Sequence, residues 1–310
     1  MTDIVTNIED FHVENKYRLE SGIAYPPFCK VVFERYFYEY ITKQFNEGKV
    51  KETIYQRYVP VYWTEIQITK KYDNLMVSKI VDESNMEIYK LWYLIQNLPD
   101  DKQYFTVVQH DDGITFSSLK QNLITFAMGG RGNIPIPLTY ENPELFNSYK
   151  NTPKTEFCSF VGSNTHPCRE KMINALKDKP DVLIITDAWT NDIHKDKQKL
   201  YLDVISKSRF TLAPRGYGKT SFRLYEALRM NSIPVYIYDE HWLPYREVLD
   251  WNRLCILIPI DQIEHLYDVL KNITDDQIND MLNYYKTVEK YFTYDGMCEY
   301  IINVADQIIN

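Results

Sequence analysis

Residues Ser208–Trp251 read SRFTLAPRGYGKTSFRLYEALRMNSIPVYIYDEHWLPYREVLDW. The apolar run RFTLA predicts a strand, PRGYG a loop, SFRLYEALRM a helix and SIPVYIYD a second strand. Both strands are apolar at successive positions rather than at alternate ones, the pattern of strands covered on both faces. Working outward, TEFCSFVG predicts another strand, CREKMINALKD a helix, DVLIITDAW a strand, and LCILIPI a last strand. Two helices are predicted near 261–271 and 275–291, with MCEYIINVADQII behind them. Strands alternating with helices predict an α/β domain built on a parallel sheet. Ligands of such sheets bind beyond the carboxyl ends of the strands. That rule puts Gly162, Asp187 and the loop from Pro214 to Thr220 on the functional edge.

The first half carries a weaker version of the same signal. FCKVVFERYFYEYITKQF predicts a helix, Tyr58–Trp63 a strand, Glu87–Gln96 a helix, YFTVVQ a strand ending in HDDG, and LITFAMG a further strand. The Gly/Pro-rich GGRGNIPIPLTYENPE and the polar NSYKNTPK are the natural boundary. The expected domains are 1–150, 151–290, and a closing segment 291–310 that packs back on the first domain. The first twenty or so residues are expected to form a loose polar arm.

Within the quoted stretch, Gly216 and Gly218 suit a tight turn and a close approach of ligand to backbone. Thr220 and Ser221 are candidate N-caps. Free N–H groups at that helix start attract anions, with Arg215, Lys219 and Arg223 as nearby cations. Arg223 and Glu226 are three apart and share a helical face. A cation beside a carboxylate suits a nucleotide diphosphate, arginine on phosphate and glutamate on the ribose hydroxyls. Spacing alone leaves open that PRGYG is an ordinary turn and Arg223–Glu226 an ordinary surface pair. Neither GxGxxG nor GxxxxGK[ST] is present, so dinucleotide and ATP binding do not follow.

The same stretch resembles the exostosin family signature. Matching residues are Pro214, Arg215, Gly216, Tyr217, Gly218, Ser221, Arg223, Glu226-Ala227-Leu228, Ile233-Pro234-Val235, Asp239, Leu243-Pro244 and Leu249-Asp250-Trp251. FVGSNTHPCREKMINAL is similar to the segment that opens the family's donor domain, adding Gly162, Ser163 and Arg169. VVQHDDG and GNIPIP are similar to strand ends of plant members, although Asp112 and Asn133 depart from them. The resemblance implies a GT-B fold, two Rossmann-like α/β domains facing across a cleft. It implies an inverting transfer of sugar from a nucleotide donor, usually UDP-linked, to a glycan or glycoprotein hydroxyl. Donor binding then falls on Gly162, Ser163, Arg169, Arg215, Gly216, Tyr217, Gly218, Lys219, Thr220, Ser221, Arg223 and Glu226.

A single displacement needs a base for the acceptor hydroxyl and a stabiliser for the departing diphosphate. Arg215 and the helix start at Thr220–Arg223 supply the second without a metal. For the base Asp111 is favoured, then His110, with Asp112 beside them; Asp-Asp-Gly is also a common turn. No histidine among His12, His166, His194, His241 and His265 shows metal-ligand spacing, and DDG lacks a D-x-D pattern, so no metal or other cofactor is expected. Trp189, Trp242 and Tyr217 are candidate pocket aromatics, with core packing favoured for Trp189. Rival readings are a retaining GT-B transferase and a non-catalytic glycan-binding or assembly subunit.

The chain of 310 residues carries a net charge of −8. That acidity excludes nucleic acid as the main partner. No apolar run reaches the ~20 residues of a membrane span, and MTDIVTNIEDFHVENKYR is too acidic for a signal peptide. Cys29, Cys158, Cys168, Cys255 and Cys298 form no CxxC and suit a reducing compartment. The expectation is a cytoplasmic protein. An abundance of Asn, Ile, Lys and 26 tyrosines suggests a microbial or large-virus source. The sequon at Asn272 is read as chance, and the tyrosines as compositional bias or sugar-stacking platforms.

Overall fold

The computed structural model describes residues 28–29, 31–70, 86–116, 119–190 and 193–309; His12 and the expected N-terminal arm lie outside the described residues. The chain divides into two compact units, one comprising Val31–Ile136 and Tyr294–Asn310, the other Pro137–Thr293 with Phe28 and Cys29.

The first unit holds a parallel sheet, β1 (Tyr104–Val108), β2 (Leu123–Ala127) and β3 (Ile134–Pro135), in that order. Tyr104 pairs with Leu123 and Val108 with Ala127. Its helices are α1 (Phe33–Asn46), α2 (Glu52–Tyr55), α3 (Trp63–Lys70) and α4 (Met86–Gln96), joined by α11 (Tyr294–Ile309) from the chain end. Spacing of four puts Phe33, Phe37 and Ile41 on one buried stripe of α1. α11 buries Met297, Cys298, Ile301 and Ala305. The two helices meet where Phe33 packs edge-on against Tyr294 at 4.9 Å and the Tyr36 hydroxyl donates to Asp295. Lys51, just before α2, forms an ion pair with Asp306 of α11 at 2.7 Å.

The strand expected at Tyr58–Trp63 is not formed. Tyr58 makes one isolated parallel bridge to Phe105, and a helix starts at Trp63. Pro60 has no N–H to donate to a ladder, while Glu34 accepts the Thr64 N–H and so favours the helix start.

The second unit carries five parallel strands: β4 (Glu156–Ser163), β5 (Val182–Asp187), β6 (Ser208–Pro214), β7 (Ile233–Tyr238) and β8 (Ile256–Pro259). Their order is β5-β4-β6-β7-β8. The central pair β6 and β7 is buried almost throughout, as their unbroken apolar runs require. The helices are α5 (Pro143–Tyr149), α6 (Pro167–Leu176), α7 (Lys195–Lys207), α8 (Phe222–Arg229), α9 (Leu266–Lys271) and α10 (Asp275–Val288). Proline opens α5 and α6, where its missing N–H costs nothing. Thr274 and Gln277 form a reciprocal capping box on α10. The expected helix at 261–271 begins as a 3-10 turn, Ile260–His265, before α9, and that at 275–291 ends in another, Glu289–Phe292. The α/β class is thus present in both units, each with an all-parallel sheet.

Six of the large, fully buried side chains are tyrosines: Tyr140, Tyr225, Tyr236, Tyr245, Tyr285 and Tyr294. Core packing accounts for these tyrosines, a role not weighed for them in the sequence. No described helix is long and apolar enough to cross a membrane.

In the strand order of the second unit, β4 connects outward to β5, the chain crosses back to β6, and β6 connects to β7 on the other side. The direction reverses between β4 and β6. Crevices outside the carboxyl ends of strands at such a switch point are where open α/β sheets hold ligands.

Candidate functional site

Gly162 and Ser163 end β4, Pro214 ends β6, and the residues that follow each strand lead into α6 and α8. Both helices send an arginine back to the switch point. Arg169, in the first turn of α6, donates from Nη1 to the Ser163 carbonyl at 2.7 Å and from Nε to the Arg215 carbonyl at 3.0 Å. Arg223, at the start of α8, donates from Nη2 to the Val161 carbonyl at 2.9 Å and from Nη1 to Ser221 Oγ at 3.1 Å. Its Nε is buried and has no hydrogen-bond partner among the described residues. The two guanidiniums share one ring: Arg169 lies over Phe160 at 5.9 Å and Arg223 over it at 4.8 Å. Arg223 also lies over Tyr201 of α7 at 5.6 Å.

Arg169, Arg215, Arg223 and Glu226 are all buried, at 7%, 9%, 8% and 4% exposure. Burial at that level rejects the ordinary surface pair for Arg223 and Glu226. The glycines serve these side chains. A Cβ at Gly162 would collide with Arg223 Nη2, and one at Gly216 would come within 2.9 Å of Arg169 Nη2. Neither Gly216 nor Gly218 takes a positive φ, so the tight-turn reasoning does not apply to them. Gly216 is needed for clearance instead.

Ser221 is the N-cap of α8, its hydroxyl accepting from the Arg223 N–H; Thr220 lies outside the helix and is buried. Arg215 is taken up within the loop. It pairs with Asp239 at 2.8 Å and donates to the carbonyls of Tyr217 and Gly218, both at 3.1 Å. Lys219 pairs with Glu240 at 2.6 Å and lies over Trp242. Tyr217 is 63% exposed, and Trp189, expected in the core, is 61% exposed. β5 ends at Asp187, so Trp189 falls in the loop beyond the sheet. Trp242 is the buried one.

Glu226 does not reach for Arg223. Its carboxylate accepts from the Tyr140 hydroxyl at 2.8 Å and from the Tyr201 hydroxyl. Burial raises its pKa, the two tyrosyl hydroxyls and the arginines opposing. Tyr140 and Tyr201 are themselves pushed well above the usual range by burial and by the glutamate.

Sequence reading missed four further members: Phe160, His166, Tyr201 and Tyr140. Asp239 it quoted without giving it a role. His166 caps α6, Nδ1 accepting from the Cys168 N–H at 3.2 Å, and its Nε2 lies 4.0 Å from Asp239. Burial, Arg215 and Arg169 lower the His166 pKa, with Asp239 opposing. For Asp239 itself burial acts upward, yet the Arg215 hydrogen bond and charge hold it below the usual carboxylate range. His166, Cys168 and Asp239 bring ligand atoms within 4.8 Å of one another, a grouping that their scattered positions hid. The donor set fits a metal poorly. An Nδ1 that accepts an N–H leaves the proton of neutral imidazole on Nε2, so the nitrogen facing Asp239 has no lone pair to give. Arg215 already neutralises Asp239, and burial raises the Cys168 thiol to about 11.

In the first unit, His110, Asp111 and Asp112 follow β1. Glu34, fully buried on α1, fixes this loop: its carboxylate accepts from the Thr64 N–H, the Thr64 hydroxyl at 2.7 Å and the Gln109 N–H at 2.8 Å. Thr64 Oγ1 in turn accepts the His110 N–H at 2.8 Å. Burial lifts the Glu34 pKa to about 8 against those hydrogen bonds. Burial lowers the His110 pKa, Asp112 opposing, and in the neutral ring Nδ1 accepts from the Asp112 N–H. The remaining proton sits on Nε2, so neither ring nitrogen is an open base. Asp112 lies 3.4 Å from Arg131. Gly129 packs so closely on Asp111 that a Cβ there would strike its backbone.

Residues 95–273 match the family model described as the Exostosin GT47 domain. The chain belongs to that family. Among curated relatives, this GT47 chain is 23% identical over 138 residues to a probable glycosyltransferase of Arabidopsis thaliana, covering 44% of the chain and 28% of the relative. It is 28% identical over 140 residues to exostosin-2 of Homo sapiens, covering 42% of the chain and 20% of that protein. A probable glucuronosyltransferase of Oryza sativa subsp. japonica is 27% identical over 214 residues, covering 59% of the chain and 50% of the relative. The matches with the first two thus span less than a third of those proteins. Among solved structures, AviGT4, a glycosyltransferase involved in avilamycin A biosynthesis, aligns with TM-score 0.36 and 11% identity over 71% of this chain and 78% of that one.

Proposed function

We propose that the chain is a glycosyltransferase that moves a sugar from a UDP-linked donor to a glycan or glycoprotein hydroxyl with inversion, in one displacement and without a metal. The observation that carries the reading is the convergence of Arg169 and Arg223 on the switch point of the five-stranded sheet, beside the amino terminus of α8. Membership of the GT47 family supports it.

In this reading the donor diphosphate binds outside β4 and β6. Arg169, Arg223 and the first N–H groups of α8 stabilise the charge that grows on the leaving diphosphate as the glycosidic bond breaks. Pre-set donors in a largely buried site need little reorganisation as that charge develops. Arg215 acts one step back: paired with Asp239 and bonded to the loop carbonyls, it shapes the path of PRGYG. Glu226 meets the ribose hydroxyls. Asp111 takes the acceptor proton, because His110 offers no open nitrogen and Asp112 is turned toward Arg131. The proposed place of action is the cytoplasm.

The test is calorimetric titration and thermal shift with a panel of nucleoside diphosphates, wild type beside Arg223→Ala. Ligand at 100 times its Kd adds about 2.7 kcal/mol of stability. UDP is expected to bind wild type and to lose at least tenfold in affinity in the variant, unchanged by EDTA. Absence of binding by every nucleoside diphosphate at millimolar concentration defeats the proposal.

A further inference from the structure

The two tyrosines on Glu226 are held very differently. Tyr140 is fully buried, stacked against Phe28 at 6.2 Å and packed on Phe146 and Phe222 at 5.4 and 6.0 Å. Tyr201 is only partly buried, projects from α7, and has the Arg223 guanidinium over its ring. One hydroxyl is built into the core. The other belongs to a side chain that keeps partial contact with solvent at the edge of the site.

We propose that the Tyr201 hydroxyl is a latch, occupying on Glu226 the position that a ribose hydroxyl of the nucleotide takes over. This inference rests on the nucleotide-donor reading above. A carboxylate at 4% exposure cannot be left without donors, because an unsatisfied buried charge is expensive. Exchanging one hydroxyl for another keeps it satisfied at every stage, Tyr140 holding the first oxygen throughout. The exchange uncovers two groups together. As the phenol leaves Glu226, its ring also leaves Arg223, whose Nε lacks a partner among the described residues and whose Nη groups donate to Val161 O and Ser221 Oγ. Recognition of the ribose is thereby coupled to release of the cation for the phosphates. A nucleotide lacking ribose hydroxyls cannot make the exchange.

Tyr201→Phe keeps the ring and removes the competing hydroxyl. A hydrogen bond to a charged group is worth enough to change an equilibrium by roughly tenfold or more. UDP is therefore expected to bind Tyr201→Phe about tenfold more tightly than wild type. The affinity of 2′,3′-dideoxyuridine 5′-diphosphate should stay within twofold. Tyr140→Phe, as comparator, should lose thermal stability and gain no affinity. Unchanged or weaker UDP binding by Tyr201→Phe overturns the latch, as does equal tightening of both nucleotides, which would mark the ring rather than its hydroxyl as the obstacle. If neither wild type nor any variant binds UDP, the nucleotide reading falls and the latch falls with it. A second measurement uses the wild-type fold: 3-fluorotyrosine placed at 201 should shift its fluorine resonance on addition of UDP and not of the dideoxy analogue. Equal shifts with both overturn the proposal.

Discussion

Gly162→Ala tests whether glycine at the end of β4 exists to admit an arginine. The added Cβ would overlap Arg223 Nη2 and approach the Phe160 ring at 3.4 Å. The backbone at Gly162 is ladder-bound to Thr186, so the guanidinium is what must give way. Moving it breaks the Nη2 hydrogen bond to the Val161 carbonyl and weakens the stacking on Phe160. A hydrogen bond to a charged group contributes about 1.5–3 kcal/mol, and an aromatic–cation contact about 0.5–2. Partial relaxation of a flexible side chain recovers some of that. The net expectation is a loss of about 2 kcal/mol. For a unit of this size that is a fall in Tm of roughly 4–8 °C. Differential scanning calorimetry of Gly162→Ala, Arg223→Ala and the double variant measures it. Because the cost lies in one overlap, Gly162→Ala should cost almost nothing once Arg223 is gone, so the double variant should be more stable than Gly162→Ala and match Arg223→Ala, a non-additivity characteristic of touching residues. A Tm for Gly162→Ala within 1 °C of wild type, or strictly additive losses, would refute the reasoning.

Ser221→Ala removes the N-cap of α8 and should cost about 1 kcal/mol by urea titration, whereas Thr220→Ala removes no cap. Glu34 binds its proton more tightly in the folded chain, burial lifting its pKa from the ordinary 4.5 to about 8. Between those values the unfolded chain has released a proton that the folded chain keeps, so stability falls as pH rises from 4.5 to 8 and levels off above. Unfolding titrations at pH 5, 6.5 and 8 should show wild type losing ground to Glu34→Gln by roughly 1 kcal/mol per pH unit at most; parallel curves would dismiss that pKa.

Much of the second unit could be read in advance because its strands are buried on both faces and say so residue by residue. The arginines and glycines of the site were legible as types but not as contacts. Glu226 was matched to Arg223 by helical spacing, yet its partners lie 86 and 25 residues away. No local pattern encodes a tyrosine arriving from another helix. Tyr58–Trp63 misled through its apolar run, where Pro60 and the distant Glu34 decide the outcome. Trp189 misled because an apolar strand looked longer than it is; only the pairing with β4 fixes its end at Asp187. His166 and Asp239 were invisible as a pair because β7 brings them together.

Arg215 and Arg223 are equivalent in the sequence, two cations flanking one glycine loop, and the fold gives them opposite electrostatics. Arg215 has a carboxylate at 2.8 Å and carbonyls around it, so its charge is spent on holding the loop. Arg223 has a carbonyl, a hydroxyl and two ring faces, which ease desolvation without cancelling charge. Keeping such a cation out of water costs several kcal/mol, and removing it relieves that cost even as it loses contacts. Arg223→Ala should therefore change Tm little and anion affinity greatly. Arg215→Ala leaves Asp239 and two carbonyls without their donor and should lower Tm by several degrees. Calorimetry of both variants, each scanned with and without UDP, gives the two readouts together. The reverse ranking, with Arg215→Ala stable but blind to UDP and Arg223→Ala unstable but binding, would mean that the charge at the switch point belongs to the loop and not to the helix.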